Sequence, residues 1–202
     1  ILPRASVPSA QGEASGTAAP LQSIPAIPVA KEVAVSVAIE EDLTPAELIA
    51  KYPPDPAAAL PVGADNLPAW QRFGRTSMIA LEARRVALVI TGLGRNRIDT
   101  VRAITGAPPE ASLSFDPNAP NLAEWIAAAR SYGHEAFLDL RLQETAWGNA
   151  LALGHSPEEN LRRLDAMLAR APMIAGVAVT GGEAFLADGA ALRPILERLN
   201  AA

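Results

Sequence analysis

The stretch Val86-Ala87-Leu88-Val89-Ile90-Thr91, followed at once by Gly92-Leu93-Gly94, decides the fold class. An unbroken apolar run rich in β-branched residues predicts a strand covered on both faces, as in a parallel sheet. The glycines make a turn, and Ile98, Val101 and Ile104 then recur at helical spacing until Gly106. The same strand-then-helix reading returns three times. ASLSF at 111–115 leads through Asp116-Pro117-Asn118 into a predicted helix over about 121–132, stopped by Gly133. EAFLDL at 135–140 is the third strand. The helix after it opens with Ser156 as N-cap, Pro157 at the first position and Glu159 closing a capping box. Leu161, Leu164, Met167 and Leu168 form its apolar face to about Arg170. IAGVAV at 174–179 is the fourth strand, and a last helix is expected over about 188–199.

Four strand–helix units in a row imply right-handed crossovers and a parallel sheet. Four strands cannot close a barrel, so the expected fold is an α/β, (β/α) half-barrel whose open edges need cover from another chain or from the preceding segment. Reactive groups in such folds gather at the carboxyl ends of the strands. That singles out Thr91–Gly94, Asp116–Asn118, Asp139–Glu144 and Thr180–Glu183.

Composition separates this domain from what precedes it. The first 68 residues hold 11 of the 18 prolines, one of the nine aromatics, 3 basic and 8 acidic side chains. The remaining 134 carry 14 of each sign, so the net charge of -5 lies entirely in the leader. Residues 1–68 are read as an extended Pro/Ala-rich linker or docking arm, and 69–202 as the folded domain. Within the arm, Val33–Ile39 (VAVSVAI) alternates β-branched with small residues and is suited to joining a partner's sheet as an edge strand. Thr44-Pro45-Ala46-Glu47 opens one short helix to about Tyr52, and Pro53-Pro54-Asp55-Pro56 ends it. The chain has no cysteine, which excludes a disulfide framework and a cysteine nucleophile. The acidic balance argues against nucleic acid as a partner, and no apolar run is long enough to span a bilayer. Because the first residue is Ile1, a processed or truncated product is expected, and an upstream signal peptide or anchor would lie outside the sequence.

The runs ALVITGLGRNR, SLSFDPNAP, SYGHEAFLDL, HSPEENLRRLDAML and AGVAVTGGEAF, then AALRPILERL, resemble the divergent polysaccharide deacetylase family over roughly residues 69–200. The resemblance implies a metal-dependent carbohydrate deacetylase fold, usually a seven-stranded (β/α) barrel, truncated here. It also implies a periplasmic location behind an N-terminal anchor. Deacetylation by this route needs a divalent metal to polarise the carbonyl and activate water, with a carboxylate base. In the family, a pair of aspartates ends the first strand; the matching positions here are Thr91 and Gly92. A histidine ligand ends the third strand, where this chain has Asp139. A second histidine follows the fourth strand, where this chain has Thr180 within Val179-Thr180-Gly181-Gly182-Glu183. With one candidate ligand left, the resemblance implies a pseudoenzyme with no catalytic residues, metal or other cofactor. The expected role is an accessory or interaction subunit of the bacterial cell envelope, its protein partner held through residues 1–68 and the open sheet edge, with a glycan as a further candidate ligand.

Two other functions compete. An active deacetylase with a rearranged site would draw on Asp139, Glu183 and a histidine. A dinucleotide binder would use Gly92-x-Gly94 and Asp116, although Arg97 stands where the third glycine belongs. His134 and His155 are the only histidines, and both read as surface or capping residues. Arg141 and Gln143 follow the third strand, and Arg141 is a candidate to pair with Asp139, which would put a salt bridge where a metal would sit. Asp139 with Glu144 reads as a strand-end acid and a loop acid in water. Trp125 and Trp147 read as core, with sugar stacking as the alternative.

Overall fold

The computed structural model describes residues 42–76, 84, 86–143, 145 and 148–201. The segment Val33–Ile39, Glu144 and Trp147 therefore lie outside the described residues.

Helix α1, Pro45–Lys51, forms where Thr44 sets its first turn. The Thr44 hydroxyl accepts from Glu47 N–H, and the Glu47 carboxylate accepts from Thr44 N–H at 2.8 Å. This reciprocal cap stabilises a short helix by about 1 kcal/mol. A short helix α2, Ala69–Arg72, follows. Strand β1, Val89–Leu93, then precedes α3, Arg97–Gly106. Strand β2, Ser112–Phe115, leads into α4, Leu122–Ser131, and β3, Ala136–Leu140. A two-stranded parallel pair, β4 (Leu142–Gln143) and β5 (Leu151–Ala152), bridges to α5, Pro157–Arg170. Strand β6, Gly176–Val179, a short α6, Glu183–Ala187, and α7, Gly189–Asn200, close the described chain.

The main sheet is parallel with the order β1-β2-β3-β6. Strands thus neighbour one another in chain order, the arrangement of one arc of a barrel. Register gives the sheet two unlike faces. Leu113 stands beside Ala136 and Phe115 beside Leu138, an apolar face that is fully buried. Ser114, Phe137, Asp139 and Ala178 lie on the other face, where small and polar side chains accompany the aromatic Phe137. Trp125 and Ile126 of α4 and Leu164 of α5 belong to the core cluster, so Trp125 is core.

The first strand departs from expectation. It begins three residues later than Val86 and extends to Leu93. It is not covered on both faces, since Val86, Leu88 and Val89 are exposed. The reason is position: among the described residues β1 is the edge of the sheet, with no strand on its outer side. Gly92 and Leu93 belong to the strand, with a register shift against β2 between Ile90 and Leu93, and the turn begins at Gly94.

The stretch before β1 is held to the domain. Leu48 is fully buried in the core, a contribution of about 2 kcal/mol. Tyr52, at the end of α1, accepts a hydrogen bond through its carbonyl from the hydroxyl of Tyr132, at the end of α4. Arg130 is almost fully buried, and its guanidinium donates to the carbonyls of Phe73 at 2.5 Å and Pro61 at 3.1 Å. Arg75 donates to the carbonyls of Pro109 and Gly133, at the amino ends of β2 and β3. No helix among the described residues is long and apolar enough to cross a membrane.

Candidate functional site

The four strand ends meet at the carboxyl edge of the sheet, and Asp139 is the buried group at their centre. Its Oδ2 accepts from the Gly92 N–H at 2.8 Å, and its Oδ1 accepts from the Ser114 hydroxyl at 2.5 Å. Asp139 is 3% exposed and Ser114 is fully buried. The local cause lies in Gly92, whose φ of +79° is a conformation that L side chains rarely adopt. This kink coincides with the register shift, and the N–H of Gly92 finds its acceptor on β3, across the intervening β2.

A second buried carboxylate ends β2. Asp116 is 1% exposed, and its Oδ1 accepts from Asn118 N–H at 2.7 Å, an Asx turn that fixes the loop. Its Oδ2 accepts from Arg141 at 3.2 Å and from Arg95 at 3.4 Å. Arg141 therefore pairs with Asp116 and not with Asp139. Asp139 turns inward, where both of its oxygens are engaged, whereas Arg141 lies at the exposed rim and reaches sideways to the end of β2.

The β6 end is made of backbone. Thr180 is exposed, Gly181 and Gly182 have φ of +76° and +79°, and Glu183 opens α6 at the surface. Gly182 lies against β4: a Cβ there would stand 2.3 Å from the Cβ of Leu142. Thr91 is also exposed. Of the four singled-out positions, the structure joins Gly92 to Asp139 by a hydrogen bond, while Thr91 and Thr180 stand at the solvent-facing rim.

A catalytic divalent ion needs about three protein donors with free lone pairs. Gly92 offers none, each oxygen of Asp139 already accepts one internal hydrogen bond, and a threonine hydroxyl is a weak neutral ligand, so the positions that match the family's ligands do not supply three strong donors. Among the described residues, no group of three or more His, Cys, Asp or Glu side chains is arranged to hold one.

The histidines divide. His155 precedes the N-cap Ser156 of α5, as expected. His134 does not lie at the surface: it is 1% exposed, with ring nitrogens 3.0 Å from the Ala111 carbonyl oxygen and 2.9 Å from that of Ile104. It precedes β3 at the amino edge and ties the end of α3 to the start of β2, away from Asp139. Sequence alone placed it at the surface because it begins the third strand, at the edge away from the site loops. Nor does the loop after β1 form an open phosphate cradle. Gly94 N–H donates to the buried Thr100 hydroxyl at 2.8 Å, a Cβ at Gly94 would stand 2.6 Å from that of Ala119, and Asn96 caps α3. Asp116, the ribose candidate, is held by its two arginines.

Two clefts escaped the sequence reading. One of about 800 Å³ opens beside the start of β6, lined by Trp70, Phe73, Leu168, Met173 and Leu199 among others. Trp70 is 64% exposed there, and an aromatic just after the Pro/Ala-rich stretch was its only signal. The other, about 220 Å³, lies near the mouth between Asn118, Asn149 and Arg162, Arg163 and Arg170. Its arginines are engaged: Arg162 and Arg163 with Glu159, Arg170 with the carbonyls of Pro117 and Ala119. These guanidinium contacts hold the Glu159 carboxyl below the usual carboxylate range.

Comparison with known proteins agrees with this architecture. A family model described as divergent polysaccharide deacetylase matches residues 88–202. The crystal structure of an uncharacterized protein from Agrobacterium tumefaciens is 32% identical and superposes with a TM-score of 0.61. The match covers 69% of this chain and 59% of that one, so the chain spans less than two thirds of that protein's length. No curated protein sequence matches the chain.

Proposed function

The chain belongs to the divergent polysaccharide deacetylase family, and from that premise we propose that it is a catalytically inactive member serving as an accessory or interaction subunit of the bacterial cell envelope. The observation that carries this reading is the state of Asp139. The one carboxylate at a ligand position accepts hydrogen bonds on both oxygens from groups of its own sheet. A carboxylate so placed stabilises the fold, and neither neighbouring position supplies a base to activate water. The periplasm is the compartment in which such a domain meets its partners, and the Pro/Ala-rich leader is suited to spacing it from a membrane. Exposed apolar side chains on the α6–α7 side, Leu186 and Leu196, and Trp70 near the start of β6 favour a protein contact.

The test is a paired measurement on the purified full chain. Zinc, manganese and cobalt are titrated calorimetrically, and acetate release is followed from an N-acetylated glycan oligomer with each metal present. The expected result is no stoichiometric metal binding and no acetate above the protein-free control. Binding of one metal per chain together with catalytic acetate release overturns the proposal.

A further inference from the structure

We propose that the small cleft between α5 and the loop after β2 binds a doubly charged tetrahedral oxyanion: a phosphoryl group, carried on a sugar or free as inorganic phosphate. The first argument is local charge. The cleft, about 220 Å³, is lined by Arg162, Arg163 and Arg170. Arg162 and Arg163 share the single carboxylate of Glu159. Arg170 donates to two neutral acceptors, the Pro117 carbonyl at 2.8 Å and the Ala119 carbonyl at 3.2 Å. Counting these residues, three guanidinium groups stand against one carboxylate, a formal charge of +2. Residues 69–202 hold equal numbers of each sign, so the excess is local. The group next to it has the same sign, since Arg95 and Arg141 share the one carboxylate of Asp116. A dianion is the ligand that offsets such a charge.

The second argument is the arrangement of donors. Arg162, Ala166 and Arg170 recur at four-residue spacing and lie along one stripe of α5. The small Ala166 between the two arginines leaves room on the helix surface for a ligand. Arg163, one position on, donates to Glu159 at 2.6 Å and to the Gly148 carbonyl at 2.5 Å. On the facing wall the Asn149 amide donates to the Asn118 side-chain oxygen at 3.0 Å, which leaves the Asn118 NH2 for a further acceptor. The bonds named here and above leave each guanidinium at least two of its five N–H groups. Donors on two facing walls suit a phosphoryl group, with three oxygens to receive them, better than a planar carboxylate with two.

The third argument is that the walls are already fixed. The Asx turn of Asp116 sets the backbone at Asn118, Arg170 holds the same loop from α5, and Arg163 holds the turn at Gly148. A ligand that enters such a cleft orders few groups, so little of its binding energy is lost. The walls are α5, the loop after β2 and the turn before β5, none of which belongs to the outer strands β1 and β6. None of the lining residues occupies a position that matches a metal ligand of the family. The site therefore stands whether or not the chain is catalytically inactive.

The experiment is calorimetric titration of the full chain, at fixed ionic strength, with inorganic phosphate, glucose 6-phosphate and acetate in turn. The expected result is one site per chain for a phosphoryl ligand, with Kd of about 1 mM or tighter, and no site for acetate. Tighter binding of glucose 6-phosphate assigns a phosphoryl group carried on a sugar, and tighter binding of inorganic phosphate assigns the free ion; both support the site. Arg162→Glu and Asn149→Asp each place a negative charge on one wall and should weaken binding by about 10-fold or more. The Arg162 side chain is 73% exposed, so its replacement spares the fold, and Asn149→Asp repeats the test without touching α5. Amide NMR signals of Asn118, Asn149 and Ala166 should shift on saturation. Failure of both phosphoryl ligands to bind overturns the proposal. So does binding that acetate matches, that both variants leave unchanged, or that shifts only amides remote from this cleft.

Discussion

Asp139 on β3 accepts a hydrogen bond from the backbone N–H of Gly92 on β1, 2.8 Å away and across the strand between them. With Ser114 supplying the other donor at 2.5 Å, one carboxylate links three adjacent strands. Asp139→Ala strands the buried Ser114 hydroxyl and leaves the Gly92 N–H without its acceptor, so a loss of about 2–3 kcal/mol is expected. Asp139→Asn, which keeps an acceptor for one of the two donors, should lose about half as much. Urea denaturation of the three proteins measures both, and equal losses for the two variants contradict the clasp.

Two adjacent glycines behave differently. Gly181→Ala meets open space and only its positive φ opposes it, for a cost of about 1 kcal/mol. Gly182→Ala adds a Cβ 2.3 Å from Leu142 Cβ and 2.9 Å from its carbonyl oxygen, so β4 must move, with an expected loss of about 3 kcal/mol or more. Thermal unfolding of the two variants should rank them in that order.

His134 bridges the carbonyls of Ile104 and Ala111 from inside the domain. His134→Ala removes the ring donor that one of these two buried carbonyls accepts from and opens a void. The expected destabilisation is about 2–4 kcal/mol. A surface histidine would lose less than about 0.5 kcal/mol, so denaturation distinguishes the two placements.

Arg130 holds residues 60–73 to α4 through carbonyl oxygens. Burial pushes its pKa down, with Glu135 acting in the opposite sense. Arg130→Lys cannot reproduce a planar fork that reaches several carbonyls. It should release this stretch, seen as proteolysis near Pro61 while the sheet amides stay protected.

Tyr132 supplies a pH dependence. Burial pushes its phenol pKa up. The unfolded phenol ionises near pH 10 and the folded one at higher pH, so the contribution is complete below about pH 10 and is lost as pH rises through the folded value. Tyr132→Phe also removes the bond to the Tyr52 carbonyl, at about 1 kcal/mol. Its stability curve should fall less steeply above pH 10 than that of the native chain.

Much of this architecture could be read from local pattern. ASLSF, EAFLDL and IAGVAV become β2, β3 and β6 within two residues, because β-branched or apolar runs bounded by turn residues have few alternatives. Ser156-Pro157 and Thr44-Pro45 fix two helix starts by chemistry confined to one turn. The absence of a side chain at position 92 was equally legible, and with it a missing ligand. Other features were not. The exposure of Val89 depends on there being no described strand beyond β1, and the burial of His134 on two carbonyls more than 20 residues away.

The order of strands and helices, the parallel sheet and the poverty of ligands at its mouth were thus determined by sequence, since each depends on residue type and short-range spacing. The partner of Asp139 was decided only by the tertiary structure. Sequence put Arg141 beside it because opposite charges two residues apart suggest a pair, whereas the fold turns Asp139 inward to Gly92 and Ser114 and gives Arg141 to Asp116. A buried carboxylate takes whichever donors the assembled strands bring within 3 Å, and chain separation says little about which those are.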